Sequence, residues 1–343
     1  MTEIIKGLTR RGWHVKLYEP NYGKNGHEPS IGVRILNFVW VQLKFFVQIG
    51  NQPDVVYARS HVALLPVTLL CRFKKIPIIH EVNGPYEDWY IAWPITKKFS
   101  WLVRASLRLQ YKVSSLLVTV TPGLGSWLRR EVGPQKIQII PNAANIDLFT
   151  PDAVSKRELS KPYALFFGAL ASWQGIDTML EAVALDQWPQ KVHLVIVGDG
   201  ATKNQVVRHA KNNRKLHYLG KLPYKELPGI ISNAMVSLSP QANTMGRSNT
   251  GLFPLKVFES LSAGTPVVVS DFPGQADLVK QYQCGLVIPP ENPAALAQAV
   301  SYLDRHPEMR QQMGTRGRKA VMRDHSWDKR AADTHKAIRS LTN

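Results

Sequence analysis

The chain has 343 residues, enough for two average domains, and its 44% hydrophobic content excludes a disordered protein. Its net charge of +18 favours polyanionic partners such as nucleic acid, phosphorylated substrates or an anionic lipid surface. No segment has the roughly 18 to 20 uncharged apolar residues that a membrane span needs, and Cys71 and Cys284 fit no metal or disulfide spacing. We therefore expect two buried thiols in a protein of the cytoplasm, or one peripheral on the inner face of a membrane.

Helical and strand-like patterns alternate through the first half of the chain. Helices are predicted over 2–11, 30–49, 62–73, 97–113 and 122–131. Strands are predicted over 14–18, 55–57, 76–82, 116–120 and 137–140. Such alternation is typical of parallel strands joined by crossover helices.

The second half repeats the alternation after a turn-rich junction over 141–152. Strands are predicted over 163–167, 192–197, 216–218, 236–238, 267–269 and 285–288. Helices are predicted over 176–185, 202–212, 224–233, 254–263, 275–281 and 293–306, and from 307 onward. The pattern predicts an α/β protein of two Rossmann-like domains facing a cleft, over 1–150 and 151–325, with a final helix over 326–343 that can return to the first domain.

A basic segment lies in the first half, because no acidic residue occurs between Trp89 and Arg130. Arg104, Arg108 and Lys112 are spaced four residues apart, which places them in one stripe of a helix. Trp101 and several leucines flank this stripe. Two interpretations remain open: a helix at an anionic membrane surface, or a helix packed on its own domain with a solvated basic face.

The segment Gly251–Ser270, GLFPLKVFESLSAGTPVVVS, predicts a helix that begins near Pro254 and ends at Gly264. A helix N-terminus with free N–H groups and nearby cations, here Arg247 and Lys256, favours an anion such as a diphosphate. Glu259 lies on the same, otherwise apolar, helix. It either accepts hydrogen bonds from a ribose or lies at the helix edge in water.

The same segment resembles the signature of the family-4 retaining glycosyltransferases of the GT-B fold. Other stretches match that family in order and spacing. These are the stretches 141–149, 167–177, 194–200, 220–227 and 285–299, which read PNAANIDLF, FGALASWQGID, LVIVGDG, GKLPYKEL and GLVIPPENPAALAQA.

The resemblance implies an enzyme that moves a sugar from a UDP- or GDP-sugar to a glycan or lipid-linked acceptor, as in cell-envelope polysaccharide or glycoconjugate synthesis. It implies no cofactor. No D-x-D triplet occurs in the sequence, so a metal clamp is not indicated, and no nucleic-acid module is recognisable, so we expect no nucleic-acid partner. The implied donor-binding residues are Gly168, Gln174, Asp199, Leu222, Arg247, Leu255, Lys256 and Glu259. Asn83 and Gly84 would lie on the acceptor side, and the catalytic residues would be Glu259, Lys256 and Asn83. In such enzymes the leaving phosphate takes the acceptor's proton.

Three departures from the family pattern leave a second function open. Gly251 stands where the family often has the first of two glutamates, and Ala169 and Gln174 replace basic residues. The chain also begins inside the expected first helix, so we expect the first domain to lack its first strand. These departures allow a catalytically degenerate subunit that acts as a binding or scaffold protein. His80, three positions before Asn83, is interpreted as a packing residue of its strand.

Overall fold

The computed structural model of the protein describes residues 2–19, 31–160 and 162–342. The chain divides into two compact units. The first comprises 1–120, 124–140 and 331–343, and the second comprises 121–123 and 141–330. The junction stretch 141–150, predicted to end the first domain, therefore groups with the second unit.

The first unit contains a four-stranded parallel sheet in the order β1-β2-β3-β4. Its strands are β1 Val56–Arg59, β2 Ile78–Val82, β3 Leu116–Thr119 and β4 Ile137–Ile139. Its helices are α1 Thr2–Thr9, α2 Ile31–Gln48, α3 Leu65–Phe73, α4 Glu87–Ala92, α5 Ser100–Val113 and α6 Pro122–Val132. Short 3-10 helices lie at Ile49–Asn51, Val62–Leu64 and Pro94–Phe99.

The strand predicted over 14–18 is wrong, because residues 13–19 belong to no strand. Within the described residues β1 is an edge strand that pairs with β2 alone. The stretch 14–18 makes no ladder of hydrogen bonds with β1 or with any other described strand, although its alternation is strand-like. The predicted helix over 97–113 is also divided, because its first residues belong to the 3-10 helix Pro94–Phe99 and α5 begins at Ser100.

The second unit contains a six-stranded parallel sheet in the order β10-β9-β8-β5-β6-β7. Its strands are β5 Tyr163–Phe167, β6 His193–Val197, β7 Leu216–Tyr218, β8 Val236–Ser239, β9 Val267–Ser270 and β10 Gly285–Ile288. Its helices are α7 Ile176–Ala182, α8 Lys203–Asn212, α9 Leu227–Ser232, α10 Leu255–Ser262, α11 Gln275–Tyr282, α12 Pro293–Arg305, α13 Pro307–Asp324 and the start of α14 Trp327–Thr342. Short 3-10 helices lie at Ser172–Gln174, Tyr224–Glu226 and Arg247–Thr250.

The strand order reverses direction between β5 and β8. The chain runs from β5 outward to β6 and β7, then returns to place β8 on the other side of β5. In open parallel sheets, ligands bind at the carboxyl ends of the strands where the order reverses. This point of the second unit is therefore where a binding site is expected.

The last helix, α14, begins in the second unit and ends in the first. Arg330 donates a hydrogen bond to Pro141 O at 3.2 Å in the second unit. Beyond it, in the first unit, Trp13 Nε1 donates to His335 Nδ1 at 2.8 Å. Residues 331–343 group with the first unit for this reason.

Both cysteines are buried free thiols, as expected. Burial raises the pKa of Cys71 to about 11 and that of Cys284 to about 12. No helix of the described residues is long and apolar enough to span a bilayer.

Gly198 gives a test of the packing around the loops that follow β5 and β6. Its φ is +147°, and a Cβ there would lie 1.8 Å from the carbonyl oxygen of Gly168. Gly220 also has a positive φ, +70°, but a Cβ there meets nothing within 4 Å. We expect Gly198→Ala to lower the free energy of unfolding by at least about 2 kcal/mol more than Gly220→Ala, since only Gly198→Ala adds a clash to the backbone strain. Urea unfolding of both variants measures the difference, and equal losses would contradict the close approach.

Candidate donor site

The candidate site lies at the carboxyl ends of β5 and β8, where the strand order of the second unit reverses. Gly168 follows β5 directly, and its φ of +138° is a conformation that favours glycine. Gln241 follows β8 after one proline. The short 3-10 helix that ends at Gln174 and the start of α10 complete this part of the unit.

Lys256 is the centre of the site. Its side chain is only 7% exposed, yet its Nζ donates a hydrogen bond of 2.7 Å to Gln174 Oε1. The same Nζ lies 3.8 Å from the centroid of the Phe166 ring, a cation–π contact. A Cβ on Gly168 would lie 3.4 Å from this Nζ, so the glycine leaves room for the lysine.

The amide of Gln174 fixes the position of the lysine. Gln241 Nε2 donates to Gln174 Oε1 at 2.9 Å, so that oxygen accepts from both Gln241 and Lys256. The family's basic residue is replaced by Gln174, and the glutamine therefore supplies an acceptor for Lys256 instead of a second positive charge.

Glu259 lies three residues after Lys256 on α10 and is also 7% exposed. Tyr224 donates its hydroxyl hydrogen to Glu259 Oε1 at 2.8 Å. Burial raises the pKa of Glu259, while the hydrogen bond from Tyr224 and the charge of Lys256 lower it. The interpretation of Glu259 as a helix-edge residue in water is wrong, because the side chain is buried.

Burial also lowers the pKa of Lys256, to about 7, and the charge of Glu259 opposes this effect only in part. Desolvation penalises the ammonium, while a neighbouring anion would restore it. A ligand that brings further negative charge to this lysine would therefore stabilise its charged form.

The N-terminus of α10 is free of side-chain caps. Pro254, at the cap position, makes no side-chain hydrogen bond to the first turn. Leu255 is the first helical residue and is 43% exposed. The first backbone N–H groups of an α-helix have no partner within the helix, and its dipole is positive there. This helix start adds to the positive potential around Lys256.

Two of the other predicted donor residues have their partners outside the Lys256 cluster. Asp199, after β6, is exposed and accepts hydrogen bonds from its neighbours Gly200 and Lys203. Leu222 packs beside the buried cluster that contains Phe149 and Phe167. The side chain of Arg247 lies outside the described part of the chain.

Asn83 and Gly84 follow β2 in the first unit. Asn83 Nδ2 donates to Glu81 Oε1 at 2.8 Å, and Asn83 Oδ1 is buried with no hydrogen-bond partner among the described residues. A Cβ on Gly84 would lie 1.9 Å from Asp88 Oδ2, so the turn is closely packed. His80 is fully buried and bonded to Thr68 at 3.0 Å, as expected for a packing residue.

Sequence reasoning missed three contributors, namely Tyr224, Gln241 and Phe166. Tyr224 lies within the matched stretch 220–227, but nothing in that pattern indicates a contact with Glu259. Gln241 could have been found from its place just after a central strand, because polar residues at strand carboxyl ends face the ligand crevice.

Gly251 occupies the position where the family often has its first glutamate. Its φ and ψ are 90° and 150°, a region that is essentially restricted to glycine. A Cβ there would lie 3.2 Å from Pro273 O. The glycine is thus required by the local backbone, and a glutamate side chain would be strained at this position.

Comparison with known proteins identifies the family of the chain. Residues 151–320 match the family model described as glycosyl transferases group 1, and residues 1–148 match glycosyltransferase family 4. The chain belongs to these glycosyltransferases and is a transferase of that family.

The relatives are distant in sequence. Glycogen synthase of Mycobacterium tuberculosis is 24% identical over 296 residues, which cover 82% of this chain and 68% of that enzyme. The chain spans about half of some other curated relatives.

Two solved structures show the same fold. A sucrose-phosphate synthase from Thermosynechococcus elongatus has a TM-score of 0.80 at 19% identity and covers 99% of this chain and 92% of its own. HepE of Anabaena in complex with UDP has a TM-score of 0.71 at 17% identity, over 88% of this chain and 84% of that one. The fold is therefore the GT-B type, as predicted.

Proposed function

We propose that this chain transfers a sugar from UDP-sugar, or alternatively GDP-sugar, to a glycan or lipid-linked acceptor. The observation that carries the proposal is the buried pair Lys256 and Glu259 on the first turns of α10, at the reversal of strand order. A cation for a diphosphate and an acceptor for ribose hydroxyls lie on one helix. The complex of the structural neighbour HepE with UDP supports UDP as the nucleotide.

Lys256 would stabilise the charge that develops on the leaving diphosphate. The free N–H groups at the start of α10 would contribute to the same stabilisation, since preorganised donors aimed at developing charge are strongly stabilising in a desolvated site. Glu259 would bind the ribose hydroxyls. The leaving phosphate would take the acceptor's proton, so no protein base is required.

Asn83, which belongs to the first unit, would bind a sugar hydroxyl of the acceptor. Its buried Oδ1 lacks a hydrogen-bond partner among the described residues, and a buried acceptor of this kind is costly to leave unpaired. A sugar hydroxyl can donate to it.

A thermal-shift screen with UDP, GDP and ADP tests the donor class. A ligand present at about 100 times its dissociation constant adds about 2.7 kcal/mol to the free energy of unfolding. UDP is expected to raise the melting temperature of the parent and not that of Lys256→Met. No shift with any of the three nucleotides would contradict the donor site.

An assay of sugar transfer distinguishes an active enzyme from a catalytically degenerate subunit, the alternative that Gly251 favours. The chain is incubated with a panel of UDP- and GDP-sugars, and hydrolysis or transfer is measured. Nucleotide binding without either reaction would support the binding or scaffold function.

Binding of UDP is expected to weaken as the pH rises. Burial lowers the pKa of Lys256 to about 7, and a bound diphosphate would raise it, so binding takes up a proton above pH 7. The dissociation constant should rise with pH by up to about tenfold per unit between pH 7 and 9. Calorimetry in buffers of different ionisation enthalpy measures the proton uptake. Lys280→Met, which changes an exposed lysine, should keep this uptake, and its absence in the parent would refute the assignment.

Tyr224→Phe is expected to change stability and affinity in opposite directions. The hydroxyl of Tyr224 donates a hydrogen bond to Glu259, so its loss leaves a buried carboxylate with fewer donors and costs about 1 to 3 kcal/mol of stability. In the variant the ribose hydroxyls no longer compete with the Tyr224 hydroxyl for Glu259, so UDP should bind more tightly. Melting curves and calorimetry measure both effects, and weaker UDP binding would show that Tyr224 itself contacts the nucleotide.

A further inference from the structure

We propose that the first unit docks on an anionic lipid bilayer through a surface formed by the exposed sides of α2, α5 and the 3-10 helix before α5. We call this surface the docking face. It goes beyond the donor site, because it involves no residue of that site and no nucleotide.

The exposed side of α5 carries two neighbouring rows of residues. At 100° per residue, Arg104, Arg108 and Lys112 form one row and Trp101 and Leu109 lie in the next. All five side chains are exposed, and Trp101 is 70% exposed. The opposite side of the helix is buried in the core of the unit, through residues such as Val103, Leu107 and Tyr111.

The 3-10 helix before α5 extends the same pattern. Ile95 is 60% and Phe99 is 54% exposed, and Lys97 and Lys98 lie between them, also exposed. Among the described residues, no carboxylate forms an ion pair with either lysine. Large apolar side chains interleaved with lysines are typical of a segment at a membrane interface.

The exposed side of α2 is apolar. Leu36, Val39, Trp40, Leu43 and Val47 recur at helical spacing on one side and are all exposed, from 48% for Val39 to 77% for Val47. The other side packs through Phe45 and Phe46 against α3 and the first strands. α3 packs against both α2 and α5, so it lies between them in one layer of helices.

Charge decides which partner covers this apolar surface. No acidic residue occurs between Trp89 and Arg130. In a symmetric dimer built on this surface, the basic side chains of one copy would lie close to those of the other copy, and the like charges would repel. Nucleic acid would pair with the lysines, but it would leave the aliphatic side chains of α2 in water. An anionic bilayer can bind both the basic and the apolar side chains, because phosphates lie at its surface and acyl chains lie beneath them.

Vesicle sedimentation of the full chain, without nucleotide, tests the docking face. The chain should pellet with vesicles of phosphatidylglycerol and phosphatidylcholine, and not with phosphatidylcholine alone. Raised salt should weaken the binding. Because no donor is present, the result does not depend on the donor-site assignment, which the thermal-shift screen tests separately.

Two triple variants are matched in charge. Lys97→Glu with Lys98→Glu and Lys112→Glu should reduce vesicle binding by about tenfold or more. Lys156→Glu with Lys211→Glu and Lys319→Glu changes three exposed lysines of the second unit and should leave binding unchanged. Trp101→Ser tests the apolar part against Val154→Ser, which alters an exposed valine of the second unit. Circular dichroism verifies that each variant is folded.

Four results would overturn the proposal. The first is no binding to anionic vesicles, and the second is an equal loss in the two triple variants. The third is a dimer in analytical ultracentrifugation that Leu36→Ser with Val47→Ser converts to a monomer, which would assign the face to a second copy. The fourth is DNA binding that the first triple variant abolishes while vesicle binding is unchanged.

Discussion

Replacing Lys256 by methionine is expected to lower sugar transfer by about a hundredfold or more, the usual effect of removing one donor that stabilises a developing anion. The same variant should melt at a higher temperature. Burial lowers the pKa of Lys256 to about 7 from a usual value of 10.5. The buried ammonium therefore lowers the free energy of unfolding of the parent. Methionine has a similar length and no charge to desolvate.

The pH dependence of this stabilisation has a definite sign. Below pH 7 the ammonium is charged in both the folded and unfolded states, and the penalty is fully present. Between pH 7 and 10.5 the unfolded state binds the proton more tightly, so the parent gains stability as the pH rises. The advantage of Lys256→Met should therefore be largest below pH 7 and shrink above it.

Two measurements check the lysine, namely initial rates of transfer and urea unfolding at several pH values. Lys280→Met is the control, because Lys280 is an exposed lysine paired with Asp271 at 2.8 Å. It should alter neither measurement appreciably. If Lys256→Met transferred sugar at the parent's rate, Lys256 would have no role in the reaction.

Glu259→Gln is expected to weaken UDP binding by about tenfold to a hundredfold, since a hydrogen bond to a charged group contributes about 1.5 to 3 kcal/mol. Glutamine keeps the shape of the side chain and can still accept the hydrogen bond from Tyr224. The loss therefore reports the charge of the carboxylate toward the ribose hydroxyls. Calorimetry with UDP measures the change.

Binding of UDP, uridine and uracil tests whether the loss in Glu259→Gln comes from the ribose. Uridine should lose about the same factor as UDP in Glu259→Gln, because both carry the ribose, whereas uracil should lose nothing. Glu181→Gln, at an exposed position of α7, is the matched control. If UDP binds equally to Glu259→Gln and to the parent, the ribose contact is absent.

Much of the fold could be predicted because its elements are locally encoded. β5 is a run of apolar residues buried on both faces, and α10 is bounded by Pro254 before it and Gly264 after it. The stretch 14–18 could not be judged in this way, since its alternation is strand-like but a strand also depends on a neighbour elsewhere in the chain.

The sequence predicted that Lys256 and Glu259 share one helix, and both lie on α10. The hydrogen-bond partners of these two side chains could not be predicted. Gln174 and Tyr224 reach Lys256 and Glu259 from positions 82 and 35 residues earlier in the chain. Such contacts depend on tertiary packing, for which no local pattern exists. The need for glycine at position 251 likewise appears only from its backbone angles.

The reversal of strand order also constrains how the second unit folds. Tyr163–Phe167 pairs with both His193–Val197 and Val236–Ser239, although two strands and three α-helices separate the last from the first in the chain. Loop-closure entropy makes such distant pairing slow to form. Phe166, Gln174, Gln241 and Lys256 come together only once that pairing exists. Nucleotide binding during refolding therefore reports a late step, after the local β-α units have formed.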